Sequence, residues 1–527
     1  MTKSRNLKPQ PKSAPKTAQQ PSSPFRRRTG QAQQDHQPLP SVRPGTAKTD
    51  QSKGRPASAR PAPGRPAQAK SGESSPYQAK SGPARPVKVA SPPSREHGRE
   101  HGQPLPPRGL TKATHRELGA LISRRASERL RNGHLWVYGT DIESIQAGPG
   151  DPPALLPVAD NRGILIGTAL FSPSSEITLR MVSRGLITQS QWLTILGERL
   201  QVAIRRRKSL LNEATNACRL VFSEADDLPG LIVDKYAGLV IVQLLAKGLD
   251  TAETRSVCVE VLKAELGSEL ETIWERPDPR IRELEGLSAP STTPLFAADP
   301  ASPVSRASFL LNGLSFEFDA NSGQKTGAFL DQRENYAAAA AWAKSRDVKK
   351  ALDVCTYQGG FALHLAQVCE QVTGIDASRG SLEVAEQNLE SNRAQLKAEV
   401  DWVEADAFEL LREWSDSDNQ DQAAWDMIVL DPPAFAKSKR AVEGALRGYK
   451  ELNLRAMRML RPGGILITCS CSHHVSWNDL EGTVASAAVD VGRRVTLLER
   501  RGAAQDHPVL MNLPETEYLK CLVCCVD

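Results

Sequence analysis

A change of rhythm at Lys349 constrains this chain more than any other feature. From there on, strand-length apolar runs alternate with helix-length segments. That alternation belongs to a parallel α/β sheet with helices on both faces. Lys350-Ala351-Leu352-Asp353-Val354 reads as a first buried strand, Val372-Thr373-Gly374-Ile375 as a second and residues 400–403 as a third. Trp425-Asp426-Met427-Ile428-Val429-Leu430 reads as a fourth. Ile465-Leu466-Ile467-Thr468 reads as a fifth, after a turn at Arg461-Pro462-Gly463-Gly464, and 518–526 as a last strand. The expected fold class is α/β, with this sheet in a domain over 305–527.

At 527 residues the chain is too long for one ordinary domain. Residues 1–110 hold 20 of the 37 prolines, only Phe25 and Tyr77 as aromatics, and 21 Lys+Arg against 5 Asp+Glu. Such a segment buries too little apolar surface to offset its chain entropy, so 1–117 is expected to be a disordered basic tail. It reads as a polycation that neutralises RNA phosphates, or as a solvated tail with no specific role. Its proline density opposes an amphipathic transit helix. The segment's net +16 leaves the rest of the chain at −10, within a total of +6. The folded part therefore needs local basic patches, not bulk charge, if it binds nucleic acid.

Residues 118–188 read as short strands separated by turns, a small β-barrel with a hairpin turn at Asp160-Asn161-Arg162-Gly163. Arg124, Arg125, Arg129, Arg131 and His134 crowd its entrance, as phosphate contacts or as a solvated basic face. Residues 189–304 read as a small α+β unit with a helix over 189–212, three strands and a helix over 251–266, and no chemistry of its own. No run of about 18 apolar residues occurs, so no membrane span is expected. The polar start lacks a secretory h-region. The nine cysteines form no disulfide framework, which points to free thiols and a cytoplasmic protein.

Ligands of doubly wound sheets sit beyond the carboxyl ends of the strands. Here the first strand runs into Cys355-Thr356-Tyr357-Gln358-Gly359-Gly360 and a helix over 361–369. Gly359 and Gly360 remove side chains where a ligand would approach. The loop is not Gly-x-Gly-x-x-Gly and lacks Lys-Ser/Thr, which argues against a dinucleotide and ATP and for a cofactor without phosphates. Asp376 ends the second strand, 23 residues after Asp353, where a carboxylate accepts hydrogen bonds from ribose hydroxyls. The third strand leads to Asp406-Ala407-Phe408, an acid and an aromatic suited to an adenine ring. Asp353, Thr356, Tyr357, Gly359, Gly360, Asp376, Asp406, Ala407 and Phe408 thus form the candidate site, for S-adenosylmethionine. The competing reading is a domain of the same fold with another ligand.

The fourth strand ends in Asp431-Pro432-Pro433-Ala434-Phe435. Two prolines stiffen this loop; Asp431 can bond a base edge and Phe435 can stack on one. It resembles the Asp-Pro-Pro-aromatic motif of amino-group methyltransferases, with one residue inserted. The fifth strand continues into Cys469-Ser470-Cys471-Ser472-His473-His474. If these strands are neighbours, both loops open on one pocket. Carbon 5 of a pyrimidine is too poor a nucleophile to take a methyl group unaided. Addition of a thiolate to carbon 6 makes it enamine-like; methyl transfer, loss of the carbon-5 proton and thiol elimination complete the cycle. Cys471, beyond the strand, is the candidate nucleophile; its surroundings must favour the thiolate, with His473 or His474 as candidate helpers. Cys469, Cys521, Cys524 and Cys525 read as core packing. Cys469, Cys471, His473 and His474 are too close in sequence for a usual zinc site, so no metal is expected.

Residues 120–527 resemble the RlmI-type 23S ribosomal RNA (cytosine-5)-methyltransferases. The matching stretches include 129–138, 219–234, Lys325-Thr326-Gly327-Ala328-Phe329-Leu330-Asp331-Gln332-Arg333, the loop from Asp431 to Lys437, Gly448-Tyr449-Lys450, the segment from Cys469 to Val475 and Asp506-His507-Pro508-Val509. The resemblance implies a PUA-like RNA-binding domain over 118–188, a central domain over 189–304 and a Rossmann-like class I methyltransferase domain over 305–527. It implies that 325–333, with Gln332, packs over the cofactor, and that Cys471 and Asp431 are catalytic. Pro432, Phe435, Lys437 and Arg129 are the candidate substrate contacts. The basic tail is no part of the family pattern, and the Asp431 loop has no cysteine, so a two-cysteine release scheme does not transfer. The partner expected is large-subunit ribosomal RNA, without a membrane; a homodimer is left open. Competing functions are methylation of a guanine nitrogen (N2 or N7) and non-catalytic binding of ribosomal RNA.

Overall fold

The computed structural model describes residues 119–148, 152–276, 278–287, 289, 291–321, 328–416 and 425–527. The basic tail expected over 1–117 and the Lys325-Thr326-Gly327 part of the cofactor-covering stretch lie outside the described residues.

Seven strands build the carboxyl-terminal sheet: β1 Lys350–Val354, β2 Gln371–Asp376, β3 Glu399–Glu404, β4 Trp425–Leu430, β5 Leu460–Ser470, β6 Val495–Arg501 and β7 Lys520–Val526. Their order across the sheet is β3-β2-β1-β4-β5-β7-β6. The first five run parallel, and β7 lies antiparallel between β5 and β6. The chain moves outward from β1 to β3 and then returns to place β4 on the other side of β1. Loops after β1 and β4 therefore leave the sheet side by side, at the point where ligands bind in such folds. Asp431 N–H donates to the Val354 carbonyl at 3.1 Å, which ties the two loops together.

Both faces of this sheet are covered, so its strands are apolar almost throughout. Ala351, Val372, Met427, Val429, Ile465, Ile467 and Val523 fill one core. Their neighbours Leu352, Ile375, Ile428, Leu430, Leu466 and Leu522 fill the other. Each such Leu or Ile, moved out of water, contributes about 1.5–3 kcal/mol. The turn expected at 461–464 is absorbed into β5. Leu460 pairs with Trp425, Gly463 takes φ +77°, and the register slips between Trp425 and Met427. A bulge keeps the strand paired through a sequence that reads as a break.

Upstream, the hairpin Arg306–Leu311 and Leu314–Asp319 stands before the large sheet. Ahead of it is a five-stranded sheet ordered Phe296–Ala297, Thr272–Glu275, Leu239–Leu244, Leu231–Tyr236, Ala217–Phe222. The helices Gln189–Lys208 and Ala252–Leu266 bury Trp192, Leu196, Leu200, Cys258 and Leu262 against it. The first helix stops at Lys208, not 212, and two short strands join the three that were expected. The amino-terminal six-stranded mixed sheet comprises Gly119–Ile122, Trp136–Val137, Ile142–Gln146, Leu155–Asp160, Leu165–Phe171 and Leu179–Ser183. Ile142–Gln146 is largely exposed and shows no apolar alternation; its pairing with Gly119–Ile122, not its side chains, makes it a strand.

Candidate active site

The loop after β1 is held in a conformation its residues would not choose. Cys355 and Tyr357 both have positive φ, +64° and +52°, as does Gly359 at +85°. Such backbone persists only where the surroundings over-determine it, and here two carboxylates do so. Asp353 is fully buried. Its Oδ2 accepts the Thr356 hydroxyl at 2.6 Å and the Ala362 N–H at 2.9 Å. Burial pushes its carboxyl up to about 7. Asp376 accepts the Tyr357 N–H at 3.0 Å on one oxygen and the Ser378 N–H at 2.8 Å on the other. The glycines also serve the protein first. A Cβ on Gly360 would lie 2.4 Å from the Tyr336 ring, and one on Gly359 would meet Trp402 at 3.0 Å.

Asp406 caps the helix Ala407–Asp416 by accepting the N–H groups of Phe408 (2.9 Å) and Glu409 (3.1 Å). The Phe408 ring packs 5.8 Å from that of Phe435. The half-buried Cys355 thiol is pushed up by desolvation and then by Asp376, Asp431, Asp353 and Asp406, so four carboxylates converge on this loop. No Lys or Arg occurs in 353–360, 374–378, 404–409 or 429–436. These loops are therefore acidic, which favours a ligand with positive charge, as a sulfonium with an α-ammonium group has.

At the loop after β4, Gln332 Nε2 donates to Asp431 Oδ1 at 3.0 Å, and Asn335 donates to Gln332 Oε1 at 2.6 Å. Cys471 Sγ lies 4.0 Å from the Pro432 carbonyl oxygen. The two flanking serines, both fully buried, anchor this segment. Ser470 Oγ donates to the Tyr449 hydroxyl at 2.9 Å. Ser472 Oγ lies 3.1 Å from that hydroxyl and accepts the Ala436 N–H at 3.1 Å. Lys520, 3% exposed, donates from Nζ to the Ser472 carbonyl at 3.0 Å. Its ammonium is held below its usual pKa by burial, opposed by Glu517, Cys471 and Asp479. His473 is also held low, first by desolvation and then by Lys520. A buried cation, Lys520, thus stands against the Cys471 segment.

A family described as PUA-like matches residues 121–184, and one described as S-adenosylmethionine-dependent methyltransferase matches 294–501. Ribosomal RNA large subunit methyltransferase I of Pseudoalteromonas translucida (strain TAC 125) is 36% identical over 400 residues, which cover 75% of this chain and 96% of the relative. The chain belongs to the ribosomal RNA large subunit methyltransferase I family. The Enterobacter sp. (strain 638) member is 32% identical over 413 residues, 77% of this chain and 98% of that one. A solved structure described as "a putative SAM-dependent methyltransferase from Streptococcus mutans" shares the fold at TM-score 0.63 and 18% identity, covering 78% of this chain and all of that one. The chain is thus an S-adenosylmethionine-dependent methyltransferase with a PUA-like domain ahead of its catalytic domain.

Within this family member, Asp376, Asp406, Ala407, Phe408, Asp431, Pro432, Phe435 and Cys471 stand at or just after the carboxyl ends of β2 to β5, and Gln332 reaches them through its bond to Asp431. Asp353 and Thr356 are buried and bonded to each other. Tyr357 packs edge-on against Phe329, ring centroids 4.9 Å apart. Lys437 is exposed at the end of its loop. Arg129 lies on the helix Arg124–Arg131, where it donates to Asp141 at 2.7 Å and sits over Tyr138. Cys469 and Cys521 face each other across β5 and β7 in the core, and Cys524 is buried on the opposite face. Sequence reasoning missed the roles of Tyr449, Ser470, Ser472 and Lys520. The first three fall in stretches that carry the family resemblance, whereas nothing local marks Lys520. No helix among the described residues is long and apolar enough to cross a membrane.

Proposed function

We propose that this protein forms 5-methylcytosine in large-subunit ribosomal RNA, with Cys471 as the attacking nucleophile. One observation carries the reading: the Cys471 thiol opens on the Asp431 loop, 4.0 Å from the Pro432 carbonyl. Its relatives are ribosomal RNA large subunit methyltransferases, which supports ribosomal RNA as substrate, and a PUA-like domain agrees with that. S-adenosylmethionine, when bound, supplies an electrophilic methyl group on a sulfonium centre. Asp376 would take its ribose, Asp406 and Phe408 its adenine, and Gln332 would cover it, while Asp353 and Thr356 hold the loop beneath. On the other side, Asp431 accepts a hydrogen bond from the cytosine amino group and Phe435 and Pro432 bound the ring. The Cys471 thiolate, favoured by the Lys520 ammonium, adds to carbon 6 and makes carbon 5 nucleophilic. After carbon 5 has gained the methyl group and released its proton to water, the sulfur–carbon bond breaks and the thiolate leaves. Exposed Lys437 is suited to a phosphate; Arg129 has already paired its charge with Asp141 and contributes less.

Mass spectrometry of digested ribosomal RNA, made with the wild-type chain and with Cys471→Ala, tests this directly. The expected result is 5-methylcytidine that disappears in the variant while S-adenosylmethionine binding persists. A methylated guanine, or a Cys471→Ala enzyme of full activity, would replace the thiolate scheme with direct transfer to a guanine nitrogen.

A further inference from the structure

A cleft of about 380 Å³ opens beside the Cys471 segment and draws its walls from three parts of the chain. Trp136 comes from the six-stranded sheet. Phe222 and Glu224 come from the end of the strand Ala217–Phe222 and the turn after it. Phe329, Asp331 and Tyr518 come from segments around the seven-stranded sheet. Cys471, Asp431 and Pro432 do not line it, yet it adjoins them. Asp331 precedes Gln332, which bonds Asp431, and His473 of the cleft follows Cys471 by two residues.

The chemistry of the walls selects the occupant. Rings provide flat apolar faces. The polar atoms are acceptors in excess. Glu224, 8% exposed, receives the Trp136 indole N–H at 2.9 Å and the neighbouring Ser223 hydroxyl; among the described residues no cation lies within ion-pair distance of it. Asp331 accepts the Tyr518 hydroxyl on Oδ2, and its Oδ1 is buried without a hydrogen-bond partner among the described residues. Arg219 also lines the cleft but is committed to Asp234 at 2.7 and 2.9 Å and lies over the Phe222 ring. A phosphate would meet carboxylates and no uncommitted guanidinium. A buried acceptor lacking a donor is costly unless a ligand brings one. A flat ring that carries N–H donors meets both requirements, as single-stranded RNA bases do when they stack on protein rings.

The cleft is also built in advance. Ser223 is strained at φ +46°, and its Oγ accepts the Gly230 N–H at 2.8 Å. Asp226 accepts the Phe222 N–H at 2.7 Å while Arg207 grips it with two bonds at 2.7 and 2.8 Å.

We infer that this cleft receives an unstacked nucleobase bearing an exocyclic amino group, from the nucleotide next to the methylated one. The inference rests on the RNA-methyltransferase reading of the adjoining site. It makes the PUA-like and central domains part of substrate selection rather than a mere tether.

A photo-crosslinking residue (benzoylphenylalanine) placed at Phe222 of the full-length chain tests it against large-subunit ribosomal RNA, with the methylated nucleotide mapped in parallel. The crosslink is expected on a nucleotide immediately beside the methylated one. Glu224→Gln, which turns one acceptor into a donor, is expected to raise the KM for RNA about tenfold with kcat and S-adenosylmethionine affinity nearly unchanged. Crosslinks far from the methylated nucleotide, or an unaltered KM in Glu224→Gln, would overturn the inference. If Glu224→Gln misfolds, the crosslink position alone decides. A methylated base other than cytosine would defeat the thiolate scheme and leave the cleft assignment standing, because the crosslink reports position and not chemistry.

Discussion

Asp506 is a carboxylate on which the central and catalytic parts of the chain close, and its neutralisation has a calculable cost. It is fully buried. Its Oδ2 accepts the Arg219 backbone N–H at 2.8 Å, and Arg333 approaches both oxygens at 3.3 Å. His507 Nδ1 lies 3.2 Å away, and Arg207 donates to the Asp506 carbonyl at 3.2 Å. Burial alone would raise the pKa. The His507 ring, the Arg333 guanidinium and the Arg219 N–H outweigh it and bring the carboxyl from 3.8 down to about 2. At 1.36 kcal/mol per unit this is worth about 2 kcal/mol of folding stability. Because the folded pKa is the lower one, that stability is complete above the unfolded value and is lost as pH falls through 3.8 toward about 2. Asp506→Asn keeps the shape but removes the principal counter-charge of buried Arg333, so the deficit at neutral pH should be about 2–4 kcal/mol. Urea unfolding followed by tryptophan fluorescence, at pH 7 and near pH 3, measures it. At the lower pH the wild type has surrendered about half of its titration-linked advantage, and the deficit must shrink. A variant as stable as wild type at pH 7, or a deficit independent of pH, would refute the reasoning.

Two further substitutions separate folding from chemistry. Lys520→Met fills the same buried space without a charge, so stability should stay within about 1 kcal/mol of wild type. Methyl transfer should fall at least about tenfold, and iodoacetamide should alkylate Cys471 more slowly at neutral pH, because the thiolate loses its cation. Unchanged alkylation would remove Lys520 from the mechanism. Gly360→Ala would drive a methyl group to 2.4 Å from the Tyr336 ring. The expected cost is about 1–3 kcal/mol in thermal or urea unfolding, with weaker S-adenosylmethionine binding by calorimetry as the β1 loop shifts. A neutral result would mean that Tyr336 swings away freely.

The large sheet was legible because burial on both faces writes itself into consecutive residues. Ala351-Leu352 and Ile428-Val429-Leu430 are apolar without interruption, and the carboxyl ends of such strands are where function collects. Asp376, Asp406, Asp431 and Cys471 were therefore singled out from position alone, and the structure puts them at or just after strand ends. What each side chain does there was harder to read. Asp353 stands in line with the other acids, yet it turns inward to brace its own loop. Arg129 lies in a basic cluster, yet its charge is matched by Asp141, twelve residues on. The bulge in β5 disguises a paired segment as a turn.

Local periodicity thus determined the strands, their sequence order and the loops in which acids and a thiol stand, since each depends on neighbours a few residues apart. Tertiary structure alone decided that Lys520 stands against the Cys471 segment, that Asp506 reaches back to Arg219 across 287 residues, and that Trp136, Phe222 and Asp331 face one cleft. Those pairings are set by the closure of separate sheets upon one another. Nothing in a residue's immediate sequence records which distant surface it will meet.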